Sequence, residues 1–440
     1  MRIAIVGGGI SGLTAAYHLA AAHHVALFEA NSYLGGHINT VAVEIGDERH
    51  QIDTGFIVFN DRTYPNFTKL LAELGVAAKP TEMSFSVRDD RAHLEYNGHS
   101  LRTLFAQKRN LLRPSFHRML LDIVRFNRVT SSAAHRSVVN ETVREFVNGY
   151  RFSSAFAEHY LLPMGSAIWS CPRGRFADFP VAFVIEFFRN HGLLSLRNRP
   201  TWYVIEGGSH TYVKKLSANF AAGVRLNSPV ESVVRTREGV VLRSRSSREE
   251  TFDHVIFACH SDQALRILGN DATPLERNTL SAFPYVSNVA VLHTDASLLP
   301  RRRRAWASWN CRVGGAEASP PVITYNMNIL QRLQSRHTFC VTLNAESEIA
   351  QERVLGRYIY HHPTFDHRRA AARSRQSELL NSNRTSFCGA YWGNGFHEDG
   401  VVSAMQVVAA IERESRAASI PCNVESAELT NNENSMNGLH

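Results

Sequence analysis

At 440 residues with 44% hydrophobic content, the chain is long enough for two or three core-forming units and is expected to fold unaided. Its net charge of +8 rests on 48 basic residues, of which only Lys69, Lys79, Lys108, Lys214 and Lys215 are lysines. That balance favours an anionic partner, but no nucleic-acid module is present, so no nucleic-acid partner is expected and a membrane surface is the remaining candidate. Cys171, Cys259, Cys311, Cys340, Cys388 and Cys422 show neither metal-ligand nor disulfide spacing. Free, mostly buried thiols, no metal and a reducing, cytoplasmic setting follow as expectations.

The chain opens on Ile3-Ala4-Ile5-Val6, read as a buried parallel strand, and Gly7-Gly8-Gly9-Ile10-Ser11-Gly12 then opens a helix over residues 10–22. Gly7 permits the tight turn, Gly9 lets a pyrophosphate approach the helix N-terminus, and Gly12 lets helix and strand pack closely. A second strand over residues 25–28 ends at Glu29, where an acid accepts hydrogen bonds from a ribose. The doublet Gly35-Gly36, which plain NAD domains lack, makes FAD the expected cofactor. No charged leader is expected ahead of the first strand. The uncharged stretch 3–22, with its four glycines, reads as strand, turn and helix rather than a membrane span.

Residues 101–128 carry Arg102, Lys108, Arg109, Arg113, Arg118, Arg125 and Arg128 against the single acid Asp122, with Pro114 dividing the stretch. In its second half Phe116, Met119, Leu120, Ile123 and Val124 share one helical face, while Arg118, Asp122 and Arg125 share the other. Two readings stand: cap helices whose arginines face water, or an interfacial helix on anionic lipid. A βα pattern returns near residue 203, with a helix over 212–220 and strands over 224–226, 230–234, 240–242 and 254–258. The run Arg301 to Arg304 reads as a solvated loop. A last helix spans 400–411, and residues 416–440, rich in Asn, Ser and Glu, read as a disordered tail. This order predicts an α/β protein in which a Rossmann-type FAD-binding domain (1–75, 200–275 and 380–415) is interrupted by an α+β substrate or cap domain (76–199 and 276–379).

Longer blocks carry a resemblance. They are Asp53-Thr54-Gly55-Phe56-Ile57-Val58-Phe59-Asn60-Asp61-Arg62-Thr63-Tyr64-Pro65, Met164-Gly165-Ser166-Ala167-Ile168-Trp169-Ser170, Ala258-Cys259-His260-Ser261-Asp262, Trp306-Ala307-Ser308-Trp309-Asn310, and the stretch from Phe387 to Gly400. On these the chain resembles the FAD-binding bacterial oxidoreductases related to flavin amine oxidases, and it is similar to the N-terminal flavin domain of plant cyclopropane fatty-acid synthases. The resemblance implies that Ser11, Glu29, Ala30, Gly36 and His37 line the adenosine and diphosphate, with Thr40 also counted as a cofactor residue. Val230 would hold the adenine through its backbone, and Gly55 and Phe56 would approach the flavin ring. Gly389 would meet the diphosphate or ribityl chain, while Asp399, Gly400 and Val401 would aim a helix N-terminus at flavin N1 and C2=O. Asp399 is also read as an ordinary N-cap.

Two departures bear on chemistry. Amine oxidases of this kind place a lysine in the substrate domain, and this chain has none after Lys215. Where covalently flavinylated relatives carry a cysteine, this chain has His361-His362-Pro363, so noncovalent FAD is expected. His37 stands where relatives have arginine. His397 is the first candidate for a catalytic base, with Tyr391 and Trp392 as walls. Trp169, Phe183, Phe187 and Phe188 read either as an acyl tunnel or as core. Three functions are carried forward: an FAD-dependent dehydrogenase, desaturase or isomerase of an apolar, fatty-acyl or lipid substrate; a flavin amine oxidase; and a flavin-binding partner of a lipid-modifying enzyme with no turnover of its own. The first is favoured, at a cytoplasmic site peripheral to the inner membrane surface, with oxygen, a quinone or a redox protein as final acceptor.

Overall fold

The computed structural model describes residues 1–131, 141–194, 199–245, 249–314, 318–319 and 321–419. A five-stranded sheet, parallel throughout, runs in the order Val224–Arg225, His24–Phe28, Arg2–Val6, His254–Phe257, Thr385–Phe387. Covered on both faces, its three central strands are near-continuous apolar runs. Ile3, Ile5, Leu27 and Ile256 face a core shared with the opening helix Ile10–Leu19 and the closing helix His397–Ser419. Ala4, Val6, Phe28 and Phe257 point the other way, into a core shared with the antiparallel sheet Val230–Arg235, Val240–Ser244, Glu250–Phe252. Side chains alternate along a strand, so four residues serve two cores, each large buried side chain contributing on the order of 1.5–3 kcal/mol.

A seven-stranded sheet, ordered Val354–Pro363, Tyr285–His293, Cys340–Leu343, Val322–Asn326, Trp309–Val313, Phe85–Asp89, Leu94–Asn97, forms the second unit. Helices between residues 101 and 190 pack beside it around Phe116, Phe126, Phe146, Phe156, Phe176 and Phe188. Trp202–Ile205 pairs with both Phe59–Asn60 and Ala78–Thr81. The boundary expected at residue 75 therefore cuts through one sheet, and residues 78–81 belong with the first unit.

Other expectations shift. The opening helix stops at Leu19, short of residue 22. The closing helix starts at His397 and continues to Ser419, four residues into the expected tail; residues 420–440 lie outside those described, as does Cys422. The other five cysteines are free thiols. The arginine run is not merely solvated, because the buried Glu95 carboxylate accepts the backbone N–H groups of Arg301 and Arg302 at 2.9 and 3.2 Å and pairs with the Arg302 guanidinium at 3.3 Å. Asp122, expected on the polar face of its helix, is 1% exposed. It accepts the Ser153 N–H at 3.0 Å and the Arg118 Nε at 3.3 Å. Phe116 and Met119 on the apolar face are consumed by the core, with Leu120 and Ile123 packed against it. Among the described residues no helix is long and apolar enough to cross a membrane.

Candidate cofactor site

At the carboxyl end of the parallel sheet, Gly7 adopts φ +110°, and a Cβ there would stand 2.8 Å from the Ala258 carbonyl oxygen, so strand, turn and neighbouring strand meet as bare backbone. Gly9 caps the opening helix, whose first turn has no acidic residue and no side-chain cap. The first-turn N–H groups are thus left for an anion. Gly35 bridges Gly9, and Gly36, at φ +59°, lies directly over it. Glu29 is buried, and its Oε2 accepts the Gly8 N–H at 2.8 Å while Oε1 accepts the N–H and Nδ2 of Asn31 at 2.8 and 2.9 Å. A carboxylate has about four acceptor positions, so one remains for a ribose hydroxyl. The Ser228 N–H donates to the Glu29 carbonyl at 2.8 Å, which brings the strand opening at Val230 beside Glu29 and the exposed Ala30.

The closing helix meets this cradle end-on. A Cβ at Gly400 would lie 2.8 Å from the Ile10 side chain and 2.9 Å from the Ser11 Oγ, so two helix N-termini converge, with Val401 buried behind them. The Gly389 N–H is held by the Ser403 Oγ at 2.9 Å. Asp399 accepts the Phe396 N–H at 2.9 Å, the reach-back of an N-terminal cap, and burial pushes its pKa up to about 6. Glu398 does something the sequence did not suggest: its carboxylate caps a different helix, Pro65–Glu73, by accepting the N–H of Asn66 at 3.1 Å and of Phe67 at 2.9 Å.

Gly55 and Phe56 lie against His37, whose carbonyl accepts the Phe56 N–H at 2.7 Å. The His397 ring stacks on Phe56 at 3.5 Å, with its Nε2 buried and unpartnered, and burial holds its pKa well below the ordinary imidazole range. Tyr391 is placed differently. It packs on Phe283 and Trp392 in the core on the other face of the sheet, and its hydroxyl has no hydrogen-bond partner. The two catalytic candidates are therefore not brought together. Thr40 is committed elsewhere, donating to Asp53 at 2.5 Å and accepting the His210 N–H at 2.9 Å. Lys215 is pinned to the carbonyls of Leu74 and Gly75.

Sequence reasoning missed a group of imidazoles. His260, His361 and His362 stand around His37, with Tyr285 and Tyr360 between them. Only His260 lies in a block that carries the resemblance, and the rings come from distant segments. Arg369 is also new: its guanidinium lies over Phe183 and Phe365 at 4.4 and 4.9 Å and holds the Gly393 carbonyl at 2.8 Å.

The arrangement fits a flavin dinucleotide. Gly9, Gly36, His37, Gly55, Phe56, His260, His362 and Asn394 to Asp399 are each only partly buried although they adjoin fully buried strands, which leaves them open to a ligand. Beside them is a cavity of about 400 Å³ bounded by Tyr64, His191, Asn394, Phe396, Glu398 and Asp399. Half-buried Cys259 borders the cradle, and burial pushes its thiol up to about 12, which disfavours the thiolate a covalent flavin link needs.

Comparison with known proteins agrees with this geometry. The family described as flavin containing amine oxidoreductase matches residues 10–302. No curated protein matches the chain by sequence. Among solved structures the chain is similar to cyclohexylamine oxidase from Brevibacterium oxydans IH-35A, with TM-score 0.68, 15% identity, and coverage of 94% of this chain and 99% of that one. It is similar to putrescine oxidase bound to putrescine, with TM-score 0.68, 15% identity and the same coverage. It is also similar to a CLA-producing fatty acid isomerase from P. acnes, with TM-score 0.64, 13% identity, and coverage of 94% and 98%. At such identities the likeness is one of fold.

Proposed function

Because the chain belongs to the flavin containing amine oxidoreductase family, and is an FAD-dependent oxidoreductase of that superfamily, we propose that it dehydrogenates, desaturates or isomerises an apolar, acyl-type substrate rather than an amine. FAD, held noncovalently, supplies two-electron acceptance. The observation that carries the reading is an aromatic seam. It runs from Trp169 to Phe187 at 4.8 Å, and from Phe187 to Phe396 at 5.1 Å, reaching the first turn of the closing helix. Trp169 and Phe187 are buried in the helical core, and Phe396 carries this apolar packing to the edge of the cavity, where Glu398 and Asp399 are already engaged by backbone N–H groups. Such surroundings suit an alkyl chain, although aromatic faces also attract cations. The lysines add to this, since none follows Lys215 and Lys215 is tied to a helix end. The fold also occurs in a fatty acid isomerase, so it accommodates acyl chemistry as well as amine chemistry. His397, stacked on Phe56 with its buried Nε2 unpartnered, is the candidate base of this reading.

The test is anaerobic incubation of the FAD-loaded protein with fatty acyl compounds and, separately, with primary and polyamines. The expected result is bleaching of the flavin by an acyl compound, or conversion of that compound with colour retained if the reaction is an isomerisation, and no bleaching by amines. Rapid bleaching by a common amine would overturn the reading in favour of an amine oxidase.

We further propose that the protein rests on anionic membrane surfaces, though not through the face the sequence suggested. With Phe116 and Met119 buried, the apolar side chains left outward include Leu101 (77% exposed), Leu112 (88%) and Leu121 (66%), and Arg102, Lys108 and Arg128 are exposed in the same stretch. Arg113 and Arg125 hold the carbonyls of Ala92 and Tyr150, which makes them unsuitable probes of charge. Basic residues near an anionic surface contribute about 1 kcal/mol each, screened beyond about 8 Å at physiological salt. Sedimentation with phosphatidylserine vesicles should therefore fall as salt rises. It should also fall several-fold in a Leu112→Ser, Leu121→Ser double variant. Binding indifferent to both would remove the proposal.

A further inference from the structure

His37 sits one residue beyond Gly36, which covers Gly9 at the anion cradle. Its ring centroid lies 5.1 Å from Tyr360, 5.3 Å from His362 and 6.2 Å from His260. His260 stacks on Tyr285 at 4.4 Å and stands 6.1 Å from His361, and the Asn288 amide faces the His362 Nδ1 at 3.1 Å. Other titratable groups face this cluster from each packed element. They are His397 on the closing helix, Glu29 after the second strand, and Asp262 and Arg266 on the helix Ser261–Leu268, of which the last three act on Cys259. Among the described residues no carboxylate is within salt-bridge distance of the four imidazoles, and no three metal-ligating side chains are placed to hold a metal ion.

A cluster of this kind needs an explanation. Burial drives His37 and His362 down to about 3 and His260 to about 4, and repulsion from the neighbouring imidazoles adds to it. All three are neutral at pH 7. They lie near the point where two helix N-termini and a glycine turn converge, an arrangement that favours an anion.

We propose that His37 becomes the imidazolium counter-ion of the cofactor's diphosphate, so that the chain takes up one proton from solvent as FAD binds. This rests on the FAD-dependent reading above. A diphosphate diester keeps both charges across the neutral range, so the proton that moves is the protein's. A nearby dianion stabilises the charged imidazole, while repulsion from His260, His361 and His362 keeps the uptake to a single proton. The sign follows. A group whose affinity for protons rises on binding makes the complex tighter as pH falls, so the FAD Kd should increase with pH, by up to about tenfold per unit where the imidazolium titrates. A fixed guanidinium at the same position would show no such dependence.

The experiment is titration calorimetry of FAD into the deflavinated full chain at pH 7, in two buffers with different heats of ionisation. It is repeated with His37→Gln and His37→Arg, alongside FAD affinity from pH 6 to pH 9. The wild type is expected to take up about one proton per FAD. His37→Gln should take up none and bind more weakly at pH 6, converging with the wild type at pH 9. His37→Arg should take up none and bind with little change across the range. Stoichiometric FAD binding by the wild type without proton uptake overturns the proposal and leaves the flavin reading intact. Uptake undiminished in His37→Gln also overturns it. Failure of the wild type to bind FAD at all overturns the flavin reading and this proposal together.

Discussion

Replacing Gly9 by valine is expected to give a folded but colourless protein, with the FAD Kd raised at least a hundredfold, about 2.7 kcal/mol of binding free energy. The backbone at Gly9 is extended, with φ −76° and ψ −176°, a conformation any residue adopts. A Cβ built there meets nothing within 4 Å. The fold therefore does not need glycine at this position; the cofactor does, because the space over the helix N-terminus is where a diphosphate must approach. Gly12 makes the contrast. A Cβ at Gly12 would stand 1.9 Å from the Gly7 carbonyl oxygen, so its valine variant should fail to fold, and loss of flavin there would say nothing about binding. The measurement is the visible absorbance of purified protein, with acid release of FAD from the wild type as reference and a thermal melt to show that Gly9→Val is folded. Stoichiometric FAD in that variant would place the diphosphate elsewhere.

The same contrast shows what was legible in the chain. The strand, glycine turn and helix of the first 28 residues are local: the apolar run, the turn that only glycine permits and the helical period all lie within reach of one another, and each was read correctly to within a few residues. The closing motif is legible as a helix N-terminus for a similar reason, although its spacing suggests that His397 and Tyr391 are neighbours. Six residues apart, they lie on opposite faces of the sheet, because the turn at residues 390–395, with Gly395 at φ +90°, reverses the chain between them. Nonlocal satisfaction of polar groups was not legible. Asp122 has the helical position of a solvent-facing acid, yet the Ser153 N–H, 31 residues away, draws it inward. Glu398 has the position of a first-turn acid serving its own helix and instead caps one 332 residues earlier. The imidazole cluster is of the same type, with no periodicity linking residues 37, 260, 361 and 362.

Asp53 is where these two kinds of information meet, and its removal should destabilise the fold strongly. It closes the strand Glu48–Asp53, immediately before the Thr54-Gly55-Phe56 segment that lies against His37. Its carboxylate is fully buried and accepts hydrogen bonds from the Thr40 Oγ1 at 2.5 Å, the Ser209 N–H at 2.9 Å, the Ser209 Oγ at 3.1 Å and the Gln331 Nε2 at 3.1 Å. One side chain thus joins the first unit to the start of the helix His210–Ser217 and to Gln331 of the second. Asp53→Ala orphans these donors and should cost about 3–5 kcal/mol, measured by denaturant unfolding. Asp53→Asn keeps the shape and one acceptor but turns an amide N–H toward Gln331 Nε2, and should cost about 1–3 kcal/mol. The two variants also differ from the wild type in pH response. Burial raises the folded-state pKa of Asp53 to about 7, against 3.8 for the free side chain. Protons are then bound more tightly folded than unfolded, so the stability linked to the protonated acid is complete below 3.8 and is lost as pH rises toward 7. Asparagine has no such titration. The stability gap between wild type and Asp53→Asn should therefore narrow from pH 5 to pH 7.5. A gap that stayed constant over that range would mean that the four donors outweigh burial and hold Asp53 ionised.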